Sequence, residues 1–493
     1  MEPIVLIHGY SAESSETTPE AVRNIYGTFP DALRENYGSA NVIEIDVSRY
    51  ISLADGLTID DISRALDRAL KRDHQQLLIS GFNVIVHSTG ALVIRNWMRT
   101  FSGRPSPVKR IVYLAGANLG SGWAHIGKGQ LAKWAQLVFQ PGTERGVRVL
   151  DALEFGSSWT LDLHLHFLQQ GSYMRANYGI YEFVVIGTQA NVKWFEAPIP
   201  YASEDGSDGV VRVSSSNVNV HYLHFKPMDE AQKLAWNEAS EQRNENLSRS
   251  DNQGKWYELS ESKQPGINNL PKVPVAIPYA CAHSGDEMGI VIGKQPREQV
   301  LRLVKVALAT TNDDQWTAAG KTFDEETEIT YRQALEFQAP PWWKKWIDEP
   351  RTQYDKHAQV IFRVRDQDRR PVEHYDIFFD SENTEQKSEI PVLKLFEDEH
   401  KNDITPNVIT FYLRLDAFDA TLKQWVPRLP KLKGVYIEVS ATEPQTDQIA
   451  YLPLRYELDP DNLLKWIKPH TTTIIDVELL RLPSDIVFKL LPA

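Results

Sequence analysis

In "FNVIVHSTGALVIRNWM", residues 82–98, three apolar residues (Val84, Ile85 and Val86) run into a polar triplet, His87-Ser88-Thr89. Gly90 follows, and then Ile94, Trp97, Met98 and Phe101 recur at helical spacing. The pattern reads as a buried strand turning sharply into a helix, with a serine at the corner. Such a corner lifts the Ser88 Oγ clear of a sheet and points the unpaired N–H groups of the helix N-terminus at the reacting carbon. Gly90 supplies a small residue where helix and strand backbones crowd together. Without that corner, the same pentapeptide is a buried serine in any parallel-sheet protein.

Working outward, short apolar runs alternate with helical patterns over the first 190 or so residues. Candidate strands are 4–7, 42–47, 84–86, 111–114 and 183–186. Between the second and third lies "LTIDDISRALDRALKRD", where Thr58 can cap a helix, Asp61 sits three residues on, and Ile59, Ile62, Leu66, Ala69 and Leu70 form one apolar stripe. Strands alternating with helices predict crossover units and a mostly parallel sheet, an α/β class. Residues 121–178 interrupt the rhythm with two helical stretches, "GQLAKWAQLVFQ" and "GVRVLDALEFGSSWTLDLHLHFL", expected to cap the sheet. A polar insertion at about 228–264 reads as solvated helix and loop, and "REQVLRLVKVALAT" closes the domain near residue 310.

Residues 311–356 read as a polar, irregular linker with the stiff patch "QAPPWWKKWIDEP". From 357 to 493 the period changes to two: "AQVIFRVRD", "EHYDIFFDS", "NVITFYLRL", "GVYIEVSA", "AYLPLRYEL" and "TTTIIDVELLRL" alternate between turn residues. These predict a C-terminal antiparallel β-sandwich.

At 493 residues the chain exceeds one ordinary core. Its 66 acidic against 53 basic residues give a net charge of −13, which opposes binding to phosphate backbones, and no basic cluster offsets it. Nucleic acid is therefore excluded as an expected partner. The single cysteine, Cys281, excludes an intrachain disulfide and fits a reducing compartment. "PIVLIHG" reads as a strand rather than a leader, and no run approaches the roughly 18 apolar residues of a membrane helix, so the expected location is cytoplasmic.

Val86-His87-Ser88-Thr89-Gly90 resembles the nucleophile elbow of the α/β-hydrolase family, specifically its bacterial lipase and esterase branch and the inositol-deacylase-like lipases. Val86 departs from the family's usual Gly or Ala. "VLIHGY" resembles the lipases' HG dipeptide leading into an oxyanion loop, which implies the backbone N–H groups of Tyr10 and Thr89 as oxyanion donors. By itself, HG after a strand is as readily a turn. "SDGVV" resembles the lipases' acid-bearing segment and implies Asp208 as the residue that orients a histidine, with Asp205 its near competitor and a plain DG turn the other reading.

The histidine follows the acid in such chains. His221 and His224 lie in "VNVHYLHF", which alternates like a strand, whereas His283 follows an apolar run and precedes Ser-Gly. His283 also matches the His-bearing loop of the deacylase-like lipases, and is the expected partner of Ser88. The resemblance covers the first domain only, about residues 1–310. It implies hydrolysis of carboxylic esters through an acyl-enzyme, with no cofactor and no metal, and an acyl pocket under the cap lined by residues such as Trp134, Phe139, Phe155, Trp159 and Phe167. An amidase or acyltransferase would use the same groups. An idle copy of the fold acting as a binding protein would have no need of all of them. His164 and His166, two apart in "DLHLHF", lack a third ligand and read as structural, as does Cys281; Trp342, Trp343 and Trp346 read as pinning the linker to a surface.

Overall fold

A computed structural model describes residues 2–7, 20–47, 56–125, 147–190, 204–232, 256–261, 270–337, 350–381, 389–458 and 460–484. The expectations for Tyr10 and its HG dipeptide, the helix at 129–140 with Trp134 and Phe139, and Trp342, Trp343 and Trp346 lie outside them. Contacts divide the chain into two compact units. The first comprises Met1–Asn219, Pro271–Asp355 and Phe418–Gln424; the second comprises Val220–Leu270, Lys356–Ala417 and Trp425–Ala493.

The first unit is built on a parallel sheet of strands β1 (Ile4–Ile7), β2 (Val42–Ile45), β3 (Phe82–His87), β4 (Val108–Leu114), β5 (Tyr181–Val185) and, later in the chain, β8 (Val275–Ala276). Their order is β2-β1-β3-β4-β5-β8, every pair parallel. All residues of β1, β3 and β5 are buried, as continuous apolar strands covered on both faces must be. The expected α/β architecture is present.

Helices α1 (Glu20–Tyr26), α2 (Phe29–Tyr37), α3 (Ile59–Arg72), α4 (Gln75–Ser80) and α5 (Gly90–Thr100) fill the crossovers. Thr58 caps α3 in a reciprocal box: its Oγ1 accepts from Asp61 N at 3.3 Å while Asp61 Oδ2 accepts from Thr58 N at 3.1 Å. The apolar stripe of α3 packs toward α5, where Ser63 Oγ donates to the Val93 carbonyl at 3.0 Å. The cap region contributes α6 (Val147–Leu153) and α7 (Ser158–His166), and α8 (Val213–Ser216) follows the loop that carries Asp208.

The stretch expected to be an irregular linker is different. After α9 (Arg297–Ala309), residues 313–336 form the longest described helix, α10 (Asp313–Glu336), and it belongs to the first unit. Asn312 caps it through Gln315 N at 2.9 Å. Its buried positions, Trp316, Ala319, Phe323, Glu326, Thr330 and Ala334, keep helical spacing. Trp316 meets Tyr181 and Phe323 meets Phe183 at ring-centroid distances of 5.8 and 5.7 Å, so α10 covers β5. Four of those six buried residues are small or polar, which is why hydropathy alone reads the stretch as a linker.

In the second unit the six runs between 357 and 483 fall on strands, two of them on a pair each, and two further strands lie between them. These are β9 (Lys356–Asp366), β10 (Tyr375–Ser381), β11 (Phe396–Lys401), β12 (Val408–Asp419), β13 (Gln424–Pro427), β14 (Val435–Ala441), β15 (Ile449–Tyr451), β16 (Leu454–Leu458), β17 (Thr472–Leu479) and β18 (Arg481–Pro483). A large sheet, in the order β11-β12-β9-β17 and then β6 (Val220–Pro227) and β7 (Tyr257–Ser260), shares one core with the three-stranded sheet β10-β14-β16. Phe362 of the first meets Phe379 of the second edge to face at 5.5 Å.

Two features depart from the expected purely antiparallel C-terminal sandwich. Strands β6 (Val220–Pro227) and β7 (Tyr257–Ser260), from the region assigned to the first domain, join this sheet. Strand β17 runs parallel to both neighbours, β6 and β9, so the sheet is mixed. Alternation marks a strand, but pairing across some 250 residues leaves no local signal. Among the described residues, no helix is long and apolar enough to cross a membrane.

Candidate active site

Strand β3 ends at His87 and α5 begins at Gly90, so Ser88 takes the corner with φ of +55°, a left-handed value that a non-glycine residue adopts only at a cost. Neighbouring backbone holds it there: Ser88 N donates to the Leu114 carbonyl at 3.1 Å, and the Ser88 carbonyl accepts from Ala91 N at 3.1 Å and Ala117 N at 3.3 Å. The close approach at this corner falls on Gly116, where an added Cβ would lie 3.0 Å from the Ala91 Cβ. Val86 is fully buried, paired with Ile7 and Tyr113, and does not prevent the turn. Thr89, directly after the corner, is buried, and no described group accepts from its N–H.

The structure brings Ser88, His283 and Asp208 together at the carboxyl ends of the parallel strands. His283 Nε2 lies 3.1 Å from Ser88 Oγ, and His283 Nδ1 lies 2.9 Å from Asp208 Oδ2. Asp208 and His283 are fully buried. Asp208 Oδ1 accepts from Val210 N at 2.9 Å and Val211 N at 2.7 Å, which turns the other carboxylate oxygen toward the imidazole. Two backbone bonds fix the Asp208 loop and the histidine segment: His283 N donates to the Asp208 carbonyl at 3.0 Å, and Asp208 N to the Val211 carbonyl at 3.1 Å. Arg212, buried over the Phe155 ring, bonds Glu204 through Nε at 2.9 Å and Nη2 at 2.6 Å, closing the same loop. A hydroxyl, imidazole and carboxylate so ordered can pass a proton from the hydroxyl as its oxygen attacks a carbonyl.

The other candidates lie elsewhere. His221 and His224 are on β6 in the second unit, where His224 Nε2 faces Glu478 Oε1 at 2.9 Å. Asp205 meets Thr352 Oγ1 at 3.3 Å. His164 and His166 sit two apart on α7, thus on different faces; His164 Nδ1 accepts from Arg95 Nη2 at 3.3 Å. Among the described residues no group of three or more His, Cys, Asp or Glu side chains could hold a metal ion. Cys281 is fully buried, and burial, with the charge of Asp208 second, pushes its thiol well above the usual value; it stays protonated.

Sequence reasoning passed over several residues that set the site. His87 donates from Nε2 to the His283 carbonyl at 3.2 Å, and the two rings lie 4.7 Å apart. Burial first, and the neighbouring His283 second, push His87 down to about 3, so it is neutral. Behind the histidine segment, Tyr354 OH accepts from Ala280 N at 3.3 Å and donates to Gln189 Oε1 at 2.7 Å, while Gln189 N donates to the Cys281 carbonyl at 3.0 Å. Only a glycine fits at 187: a Cβ there would meet the Cys281 carbonyl oxygen at 1.9 Å.

A parallel sheet with a serine at its strand-to-helix corner and the acid and histidine following in that order is the α/β-hydrolase fold. Two structures of phospholipase PlaB from Legionella pneumophila, one of them in complex with thio-NAD, match 100% of this chain and 97% of their own with a TM-score of 0.74 at 23% identity. At that identity the likeness is one of fold. The mature form of lipase BlEst2 from Bacillus licheniformis matches 44% of this chain and 78% of its own at 13% identity, with a TM-score of 0.29 too low to carry weight. No family model and no curated protein matches the sequence.

Proposed function

We propose that this chain is a serine hydrolase that cleaves carboxylic esters through an acyl-enzyme. The observation that carries the reading is the continuous relay from Ser88 Oγ through His283 to Asp208, at 3.1 and 2.9 Å, on a backbone corner held at positive φ. His283 takes the proton of Ser88 as its oxygen attacks the ester carbonyl, and Asp208 fixes the tautomer and favours the imidazolium that forms. The resemblance implies the N–H groups of Thr89 and Tyr10 as donors to the developing oxyanion; one such donor is worth roughly 10²–10³ in rate. The same imidazolium then protonates the leaving alcohol, and water repeats the sequence to release the acid.

The substrate class that fits best is a lipid ester. Its support is the apolar and aromatic content of the cap sequence, such as Phe155, Trp159 and Phe167, and a fold shared with a protein named as a phospholipase. The test is hydrolysis of a chain-length series of nitrophenyl esters, followed by phospholipid vesicles. Wild-type protein is expected to turn over, and Ser88→Ala to lose at least about 10³-fold in kcat while remaining folded. Equal rates for the two proteins would end the assignment. An amidase or acyltransferase differs only in the group that leaves or accepts, and is separated by the same assay with anilides or added alcohol.

A further inference from the structure

His283 is held by both of its own peptide groups. Its N–H donates to the Asp208 carbonyl at 3.0 Å, and its C=O accepts from the His87 side chain at 3.2 Å. His87 immediately precedes Ser88, so the corner that presents the hydroxyl also carries a prop for the imidazole. A carbonyl oxygen only accepts, so the His87 proton sits on Nε2. The two rings lie 4.7 Å apart and inclined at 44°, and the His87 ring also meets the Tyr26 ring edge to face at 6.4 Å. Tyr26 is itself pinned, donating from OH to the Ile7 carbonyl at 2.9 Å.

On the far side of His283 the chain continues into Ser284 and Gly285, which are only half-buried, and Asp286, which is exposed. The His87 contact thus holds the carbonyl side of His283 directly, ahead of a loop whose own carbonyls at Gly285 and Asp286 accept from Gly289 N at 2.9 Å and Lys294 N at 3.2 Å. We propose that His87 is a positioning residue: its Nε2–H and ring fix the His283 backbone and imidazole so that Nε2 stays on the line to Ser88 Oγ. The role rests on the ester-hydrolase reading above. Neutrality of His87 is what the role needs, since a charged neighbour 4.7 Å away would oppose the imidazolium that forms on His283.

A side chain that merely filled space would be replaced without loss by a phenyl ring. The two roles are separated by His87→Phe, which keeps volume and ring but lacks the donor, and His87→Gln, which returns an N–H donor at about the same reach. On the full chain, His87→Phe is expected to fold, to keep KM within about twofold, and to lose tenfold or more in kcat, because small misplacements of a reacting group are that costly. Phosphonylation of Ser88 should slow by the same factor, and His87→Gln should recover kcat to within about threefold of wild type. If His87→Phe does not fold, the smaller His87→Leu is judged on the same criteria. Wild-type kcat in the phenyl variant, or equal losses in the phenyl and glutamine variants, overturns the proposal. A wild-type chain inert toward both ester and phosphonate removes the hydrolase reading and this role together; an active wild type with an indifferent His87→Phe removes this role alone.

Discussion

Ser88 pays for its position in backbone strain. A left-handed φ costs a non-glycine residue roughly 1–2 kcal/mol, and glycine nothing. Ser88→Gly is therefore expected to unfold at higher denaturant than Ser88→Ala by about 1 kcal/mol, although both lack the hydroxyl. Equal stabilities, from urea titrations at one pH, would show that the corner is unstrained. His87 makes a second prediction at this scale. Its folded-state value lies at about 3 against the usual 6.5, so below pH 6.5 the unfolded chain binds a proton the native chain refuses. Stability then falls with acid, from about pH 6.5 down to about pH 3, with a slope approaching 1.4 kcal/mol per pH unit for this one group. His221 and His470, pushed down by burial to about 4 and about 3, add to the same window, so the contribution of His87 is the flattening expected in His87→Phe. An unchanged slope would contradict it.

Among elements, the end of β5 and the segment after β8 must approach within backbone contact for His283 to reach Ser88. Gly187 is where they do so, and Gly187→Ala would drive a methyl into the Cys281 carbonyl. Overpacking of this kind costs typically about 1–3 kcal/mol, and here the displaced chain carries His283 two residues on. The expected result is a lower melting temperature and a fall in kcat with little change in KM; a variant with wild-type kcat would show that the approach is looser than drawn. Which elements were legible follows physical lines. The β3–Ser88–α5 corner and the capped α3 are local patterns, and each was readable from spacing. The acid and histidine could be ordered along the chain but are joined only by the fold. The helix α10 escaped because Ala319, Glu326, Thr330 and Ala334 occupy its buried face beside Trp316 and Phe323. His87 lies in the motif itself, but nothing in the sequence says that its nitrogen reaches a carbonyl 196 residues away.

At the scale of the whole molecule, the chain is two units whose division differs from the one the sequence suggests, because β6 and β7 join a sheet whose other strands begin only at Lys356. At the centre of that sheet Arg363 bonds Asp476 through Nε and Nη2, each at 2.7 Å, and Tyr222 OH donates to the same carboxylate at 2.6 Å. Burial alone would raise Asp476, but these bonds outweigh it and hold the carboxyl below its usual value. Its contribution is present at neutral pH and is lost as pH falls through the depressed folded value. Asp476→Asn leaves a buried guanidinium uncompensated and is expected to destabilise by about 3–5 kcal/mol in a urea titration; a change under about 0.5 kcal/mol would mean the pair is not buried as described.

The proposed chemistry requires that one serine of the whole chain be nucleophilic. Intact-mass and peptide analysis after treatment with a fluorophosphonate measures this directly. The account predicts a single adduct per chain, mapped to Ser88, absent in Ser88→Ala and strongly slowed in His283→Ala. A folded wild-type chain that takes up no label, or takes it up at another residue, contradicts it.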